Sequence, residues 1–408
     1  MTGREPKEQT EQIKQKNQTE QIAETGYQTA QMKQTNGIEQ NAAAAYAANT
    51  ADNENGELAH TAALEDVPGL IRYVKSPRYR NALSLPPDVT ETYTLLAQGE
   101  YNRNYVWTHP VSGKKLLLRI NFGSQMHLAD QIGYEYHALS LLEQSGRTPH
   151  AYYVDGSRAE LSEGVMVMEF LPGHALLYET ELLRAAAILA DIHSMRVPAK
   201  HGLIAPKAPL RAILEECEAM FRIYTDAACA DAGKIKKIRE LLQEGWRHAE
   251  NPLFSKPPYR CIVNTELNAT NFLIQENAAA GDRVQDSLID WEKPVFADPA
   301  QDLGHFLAPT TTFWKTDVIL QDAEMNQFLE AYINAVSGRY DTSGLLERAA
   351  VYIPLTCLRG ITWCAMAWVE YQNPEKKLTN ASTRAKLDAY LSDAFLEQIQ
   401  QFMKAHLS

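Results

Sequence analysis

The chemical signal of this chain lies in three polar residues at short spacing: Glu266, Asn271 and Asp290. They sit in Arg260-Cys-Ile-Val-Asn-Thr-Glu-Leu-Asn-Ala-Thr-Asn-Phe-Leu-Ile274 and Ser287-Leu-Ile-Asp-Trp-Glu292, whose apolar runs read as short buried strands flanking loops. Two carboxylates and a carboxamide oxygen gathered at one point suit phosphoryl transfer. Glu266 would face an acceptor hydroxyl, while Asn271 and Asp290 would hold Mg²⁺ on the phosphates of ATP. Each of these residues alone also reads as a turn former or a cap; their joint order and spacing do not.

Such a site needs a sheet to hold phosphates and a scaffold for the acceptor. Thr92-Tyr-Thr-Leu-Leu96, Asn104-Tyr-Val-Trp-Thr108 and Lys115-Leu-Leu-Leu-Arg-Ile120 read as three strands of a small antiparallel sheet. The first two are joined by a hairpin holding Gly99 and Asn102. Arg119 closes a run of leucines. It is either an edge cation in solvent or an inward cation for phosphate oxygens, and the second case requires a carboxylate partner. Residues 129–142 have helical periodicity with Ile132, Leu139 and Leu142 near one face, and Glu135 within that segment is the candidate partner. Gly164 to Leu171 reads as a buried strand ended by Pro172-Gly173. Helical patterns follow at 182–194, 210–224, 232–249, 323–336 and 345–372, with a last helix at 386–402. Residues 1–63 are different: Gln, Glu, Thr, Asn and Ala dominate, Thr10-Glu-Gln-Ile13 recurs as Thr19-Glu-Gln-Ile22, and too few large apolar residues are present to offset the entropy of ordering. A disordered tail is expected there.

The whole chain has 408 residues and a formal net charge of −12, which argues against a nucleic-acid binder and against docking on an anionic membrane. Five cysteines without a CxxC pair read as free thiols of a reducing, cytoplasmic protein. No run long enough for a membrane span and no signal segment is expected. The partner implied is a small-molecule acceptor.

The order of these elements resembles the aminoglycoside phosphotransferase and choline kinase family. Gly99-Glu-Tyr-Asn-Arg-Asn-Tyr105 resembles its phosphate-covering hairpin, and Leu117-Leu-Arg-Ile120 its third strand in the form where arginine replaces lysine. Met168-Glu-Phe-Leu171, with Glu169, is similar to the hinge, and Leu189-Ala-Asp-Ile-His-Ser194 to a family helix. Leu288-Ile-Asp-Trp-Glu292 followed by Asp298-Pro-Ala-Gln-Asp-Leu303 is similar to the metal-binding signature. The resemblance covers about residues 91–372. It implies an α+β, two-lobed protein-kinase-like fold. The expected parts are a tail at 1–63, a nucleotide-binding lobe with a small antiparallel sheet at 64–172, and a mostly helical lobe at 173–408. It also implies that Gly99, Asn102, Arg119, Glu135, Glu169 and Asn271 serve the nucleotide, that Asn271 and Asp290 hold the metal, and that Glu266 is catalytic. Asp302 would pin the metal loop or cap the following helix. Trp363, Trp368 and Tyr371, near helical spacing with Glu370 between the last two, would offer aromatic faces to an ammonium-bearing acceptor or else form a core stripe.

One departure stands out. The family writes H-G-D-x-x-x-x-N, whereas this chain reads Asn264-Thr-Glu-Leu-Asn-Ala-Thr-Asn271. The carboxylate is kept on a side chain one methylene longer. Either the site has re-formed around glutamate, or the chain is a nucleotide-binding pseudokinase. Transfer of another part of the nucleotide, such as AMP, is the third option. The acceptor itself, an amino alcohol, an aminoglycoside or a sugar, stays open.

Overall fold

The fold is described from a computed structural model, covering residues 62–88, 91–99, 101–124, 126–276, 285–373 and 381–407. The tail expected at 1–63 falls, up to residue 61, outside the described residues, as does Glu100 of the hairpin.

Short helices, α1 (Leu70–Val74) and α2 (Pro77–Ala82) among them, precede a five-stranded sheet. Its strands are β1 (Thr94–Gln98), β2 (Asn102–Thr108), β3 (Lys115–Asn121), β4 (Ala151–Asp155) and β5 (Gly164–Glu169), in the spatial order β1-β2-β3-β5-β4. Every neighbouring pair is antiparallel. The four strands expected from the sequence, the Gly164–Leu171 run among them, are present; β4 was not foreseen.

Alternation along β3 decides what each face of the sheet meets. Leu116, Leu118 and Ile120 join Tyr73, Tyr79, Tyr105 and Trp107 in one apolar cluster with α1 and α2. Leu117 and Arg119 point to the opposite face, because successive strand residues alternate. That face is covered by α3 (Gln131–Leu142), which begins where the Asp130 side chain accepts from Gly133 N–H. Ile132, Glu135, Leu139 and Leu142 fall at 3- and 4-residue intervals and are all buried. Glu135 therefore rides on the apolar stripe of α3 and is carried to Arg119.

The rest is mostly helical. α4 (Tyr178–His193), α5 (Pro209–Thr225), α6 (Ala232–Trp246), α7 (Pro299–Leu307), α8 (Pro309–Lys315), α9 (Asp322–Val336) and α10 (Leu345–Gln372) share one large core. α10 lies along α5 and α7. The approach to α7 is so close that a Cβ on Gly304 would stand 2.3 Å from Tyr352 Cβ. By length and composition α10 could cross a membrane, which corrects the expectation of no such run; 67% of that window is buried inside this fold. The last helix expected at 386–402 is two helices, α11 (Ala381–Tyr390) and α12 (Asp393–Leu407). The break has a local cause: the Ser392 hydroxyl accepts from Phe395 N–H at 3.2 Å, the hydrogen bond of a helix start.

Short strands between these helices carry the polar loops. β6 (His174–Ala175), β8 (Phe272–Ile274) and β9 (Ser287–Leu288) form one small sheet, while β7 (Cys261–Val263) pairs with β10 (Val295–Ala297). Residues 63–408 make up one compact unit.

Candidate active site

Two antiparallel pairings bring the two polar segments side by side. Phe272 lies opposite Leu288 across β8 and β9, and Val263 opposite Val295 across β7 and β10. Residues 264–271 leave β7 and enter β8; residues 289–294 leave β9 and enter β10. The Ile289 N–H donates to Asn271 O at 2.8 Å, so the segments touch at their apolar ends as well.

A fully buried carboxylate fixes the first loop. Asp302, in the first turn of α7, accepts from the backbone N–H groups of Asn264 (2.7 Å) and Thr265 (2.8 Å). The ring of His193 stands 3.2 Å from the same carboxylate through Nε2 and 2.6 Å from the Tyr332 hydroxyl through Nδ1. Asp302 thus pins the Glu266 loop rather than the Asp290 loop. It is not the helix cap either; that is Asp298, whose side chain accepts from Ala300 N–H and meets Arg348.

The end of the site that carries Arg119 is built on β3. Arg119, 6% exposed, reaches Glu135 at 2.5 Å and Asp290 at 3.2 Å through Nη1, and donates from Nε to Asn104 at 3.0 Å. Burial pulls against the charge on the guanidinium, but Glu135 and Asp290 outweigh it and hold its pKa above the ordinary value. Asn102 in the hairpin donates to Glu292 at 2.6 Å and accepts from Asn121 at 2.8 Å. Asp290 has a left-handed backbone, φ +63°, which an aspartate tolerates better than most residues. Glu292 was missed as a site residue. Burial, with the neighbouring Asp290 carboxylate, pushes it up to about 8. The signal was there in the sequence, two residues beyond Asp290.

Glu266 is not a free base. Its Oε1 lies 2.9 Å from Lys293 Nζ and 3.2 Å from Arg359 Nη2. Burial alone would raise this carboxyl; the two cations reverse that and hold it down at about 2. Behind them Glu216 on α5 grips Arg359 at 2.9 and 3.3 Å. Neither Lys293 nor Arg359 was picked out from the sequence. Asn271, buried, donates from Nδ2 to Glu266 O at 2.9 Å, which leaves its amide oxygen as the end that could accept or ligate.

A cavity of about 580 Å³ joins these groups. Of the residues expected from the sequence, Gly99, Asn102, Arg119, Glu266, Asp290, Trp363 and Tyr371 line it. Glu135 stands behind Arg119. Asn271 stands behind Glu266, and Glu169, at the end of β5, instead exchanges hydrogen bonds with the His150 backbone. Trp368 is brought elsewhere: its Nε1 donates to Asp388 at 2.9 Å and its ring meets Tyr224 edge-on. The reason is angular. At about 100° per residue, Trp368 is turned ~140° from Trp363, whereas Tyr371 is within ~80°. Trp314 takes its place, edge-on to Trp363 with ring centroids 5.2 Å apart.

The donor set fits a hard divalent cation. Asp290, Glu292 and the Asn271 amide present oxygen as their acceptor atoms, the ligand type that hard cations take. Among the described residues no three His, Cys, Asp or Glu side chains form a ready metal cluster. Mg²⁺ does not need one, because it commonly takes one or two carboxylates together with phosphate oxygens.

The sequence profile of the phosphotransferase enzyme family matches residues 92–345. No curated protein matches the chain in sequence. Among solved structures, an ethanolamine kinase of Plasmodium vivax is 14% identical, covering 86% of this chain and 98% of its own at a TM-score of 0.53. A choline kinase of Cryptosporidium parvum is 13% identical, with 85% and 96% covered and a TM-score of 0.53. A spectinomycin phosphotransferase in complex with ADP and spectinomycin is 13% identical, with 78% and 93% covered and a TM-score of 0.50. The two-lobed, protein-kinase-like α+β fold implied by the resemblance is the fold of this chain.

Proposed function

We propose, on the premise that the chain belongs to the phosphotransferase enzyme family, that it moves the γ-phosphoryl group of ATP to a hydroxyl of a small molecule. The observation that carries this reading is the convergence of Arg119, Asp290 and Glu266 on one cavity from three separate parts of the chain. The division into a nucleotide lobe at 64–172 and an acceptor lobe at 173–408 belongs to the same reading.

Arg119, steadied by Glu135, neutralises the α- and β-phosphates, and the hairpin from Gly99 to Asn102 covers them. Asn271 and Asp290, with Glu292 beside them, would hold Mg²⁺, which would supply charge neutralisation to the nucleotide phosphates. Glu266 accepts a hydrogen bond from the acceptor hydroxyl and aims its oxygen at the γ-phosphorus. As that P–O bond forms, the bond from the γ-phosphorus to the bridging oxygen breaks and ADP leaves. A carboxyl held at about 2 is a weak proton acceptor at neutral pH. The hydroxyl proton is therefore released to solvent, and Glu266 works mainly by orientation. Trp314, Trp363 and Tyr371 wall the acceptor end, where an amino alcohol, an aminoglycoside or a sugar would lie.

The test is mass spectrometry of a metabolite extract incubated with the protein and Mg-ATP, with Asp290→Asn as control. A metabolite that gains one phosphate only with the wild type supports the reading and names the acceptor. No phosphorylated species, with ATP binding intact, would leave a nucleotide-binding protein without transfer. A metabolite gaining AMP would point to the other bond of ATP.

A further inference from the structure

Asn264, Thr265 and Glu266, the three residues that replace the family's His-Gly-Asp, all bond to one segment, residues 290–293. Asn264 Nδ2 donates to Asp290 O at 2.9 Å. Thr265 Oγ1 donates to the Lys293 carbonyl at 2.8 Å, and Glu266 Oε1 pairs with the Lys293 ammonium at 2.9 Å. Thr265 has φ +68°, a left-handed conformation that a β-branched residue rarely enters and a glycine accepts freely. The hydroxyl bond to Lys293 is what threonine adds at that strained position. Lys293 is itself buried, 8% exposed, so its charge must be answered inside the fold. Glu266 answers it most closely, and Glu216 stands 3.7 Å away. Arg359 completes the arrangement from α10, bound to Glu216 twice and to Glu266 once.

These contacts address the extra methylene of Glu266. A glutamate has one more rotatable bond than an aspartate, and a catalytic carboxylate displaced by about 1 Å can cost ~10²-fold in rate. Two cations on the same oxygen remove that freedom. We propose that Lys293 is a positioning residue that, with Arg359, clamps the Glu266 carboxylate for the acceptor hydroxyl, so that the Asn-Thr-Glu loop and Lys293 act as one unit in place of the shorter aspartate. The proposal rests on the phosphotransferase reading of the same site.

The groups facing Glu266 are Lys293 before β10, Arg359 on α10, Glu216 on α5, His305 on α7, and Asp290 and Glu292 of the metal loop. Lys293 and Arg359 are the two cations on Glu266 Oε1, and removing Lys293 takes away the nearer one.

The test compares wild type, Lys293→Met and Lys293→Arg in two measurements: binding of a fluorescent ATP analogue, and Mg-dependent release of ADP with water as acceptor. Lys293→Met is expected to bind the analogue within about 2-fold of wild type and to lose ~10–100-fold in kcat. Lys293→Arg should restore most of the rate. A Lys293→Met protein with unchanged kcat, or a Lys293→Arg protein as slow as Lys293→Met, overturns the proposal. Failure of wild type to bind the ATP analogue would strike the phosphotransferase reading itself, and the clamp's catalytic role with it.

Discussion

Restoring the family's own residue should damage this site. In Glu266→Asp the carboxylate retreats by roughly 1.3–1.5 Å, the reach of one methylene. The contacts to Lys293 (2.9 Å) and Arg359 (3.2 Å) then open, to about 4.3 and 4.6 Å. With an effective dielectric of about 20, the attraction to Lys293 falls from ~5.7 to ~3.9 kcal/mol, and that to Arg359 from ~5.2 to ~3.6 kcal/mol. Water and side-chain relaxation return much of this. About 1–2 kcal/mol of lost positioning energy is left, equivalent to ~5–30-fold in rate. Displacement of the hydrogen-bond acceptor adds to it, and ~10–100-fold in kcat is expected with the KM for ATP within ~3-fold. The assay is steady-state ADP release at saturating Mg-ATP, with the acceptor found in the metabolite screen or with water. A Glu266→Asp protein as active as wild type, or more active, would refute the reasoning: the clamp would then be incidental and the glutamate a tolerated drift.

On the proposed reading, Asp290→Asn should lose at least ~10²-fold in transfer, since it would remove the charged ligand proposed for Mg²⁺ while keeping its shape; unchanged turnover would contradict the metal assignment. Arg119→Ala strands Glu135, 1% exposed, without its cation. A loss of about 3–5 kcal/mol is expected, read as a lower denaturant midpoint at constant slope, and an unmoved midpoint would count against a buried pair. Glu292 has its carboxyl raised from 4.5 to about 8, so the fold holds this proton more tightly than the unfolded chain does. The stability this contributes is complete below pH 4.5 and is lost as pH rises through about 8. Thermal melts should show that fall in the absence of metal, a smaller fall with Mg²⁺, and a flatter slope in Glu292→Gln; an identical slope in that variant would rule Glu292 out as the cause. Trp363→Ala should raise the KM for the acceptor several-fold, whereas Trp368→Ala should lower the melting temperature and leave that KM alone; acceptor saturation curves decide.

Residues whose contacts follow from local periodicity were legible in the sequence. Arg119 and Glu135 are 16 positions apart, yet strand alternation on β3 and the 3-4 spacing of α3 point both at one layer. The apolar runs around Glu266, Asn271 and Asp290 likewise pointed to polar residues held between short buried strands; that they lie on two segments, 264–271 and 289–294, side by side came from the pairings of β7 with β10 and β8 with β9. Lys293 and Arg359 were not legible, because their meeting depends on how α10 docks. Arg359 is 93 positions from Glu266, and its only local mark is a cation between Leu358 and Gly360 on a mostly apolar helix. Trp368 shows the reverse error. Proximity in sequence put it with Trp363, although helical rotation alone turns it away. Ser392-Asp393 carried a helix-start signal that a continuous 386–402 pattern hid.

The replaced histidine follows the same logic as the replaced aspartate. A neutral imidazole brings one donor and one acceptor to the loop. The Asn264 carboxamide brings both as well: Nδ2 donates to Asp290 O at 2.9 Å and Oδ1 accepts from Glu266 N–H at 3.0 Å. One side chain thereby ties the backbone of Asp290 to the backbone of Glu266, while Asp302 holds the N–H groups of Asn264 and Thr265 from beneath. A chain abandoning transfer has no need to replace a donor–acceptor pair with another, or to bury a lysine against a relocated carboxylate. Buried polar groups are costly unless every one is answered, and residues 264, 265 and 266 each find an answer in the same four-residue segment. That mutual fit favours a site re-formed around glutamate over one in decay.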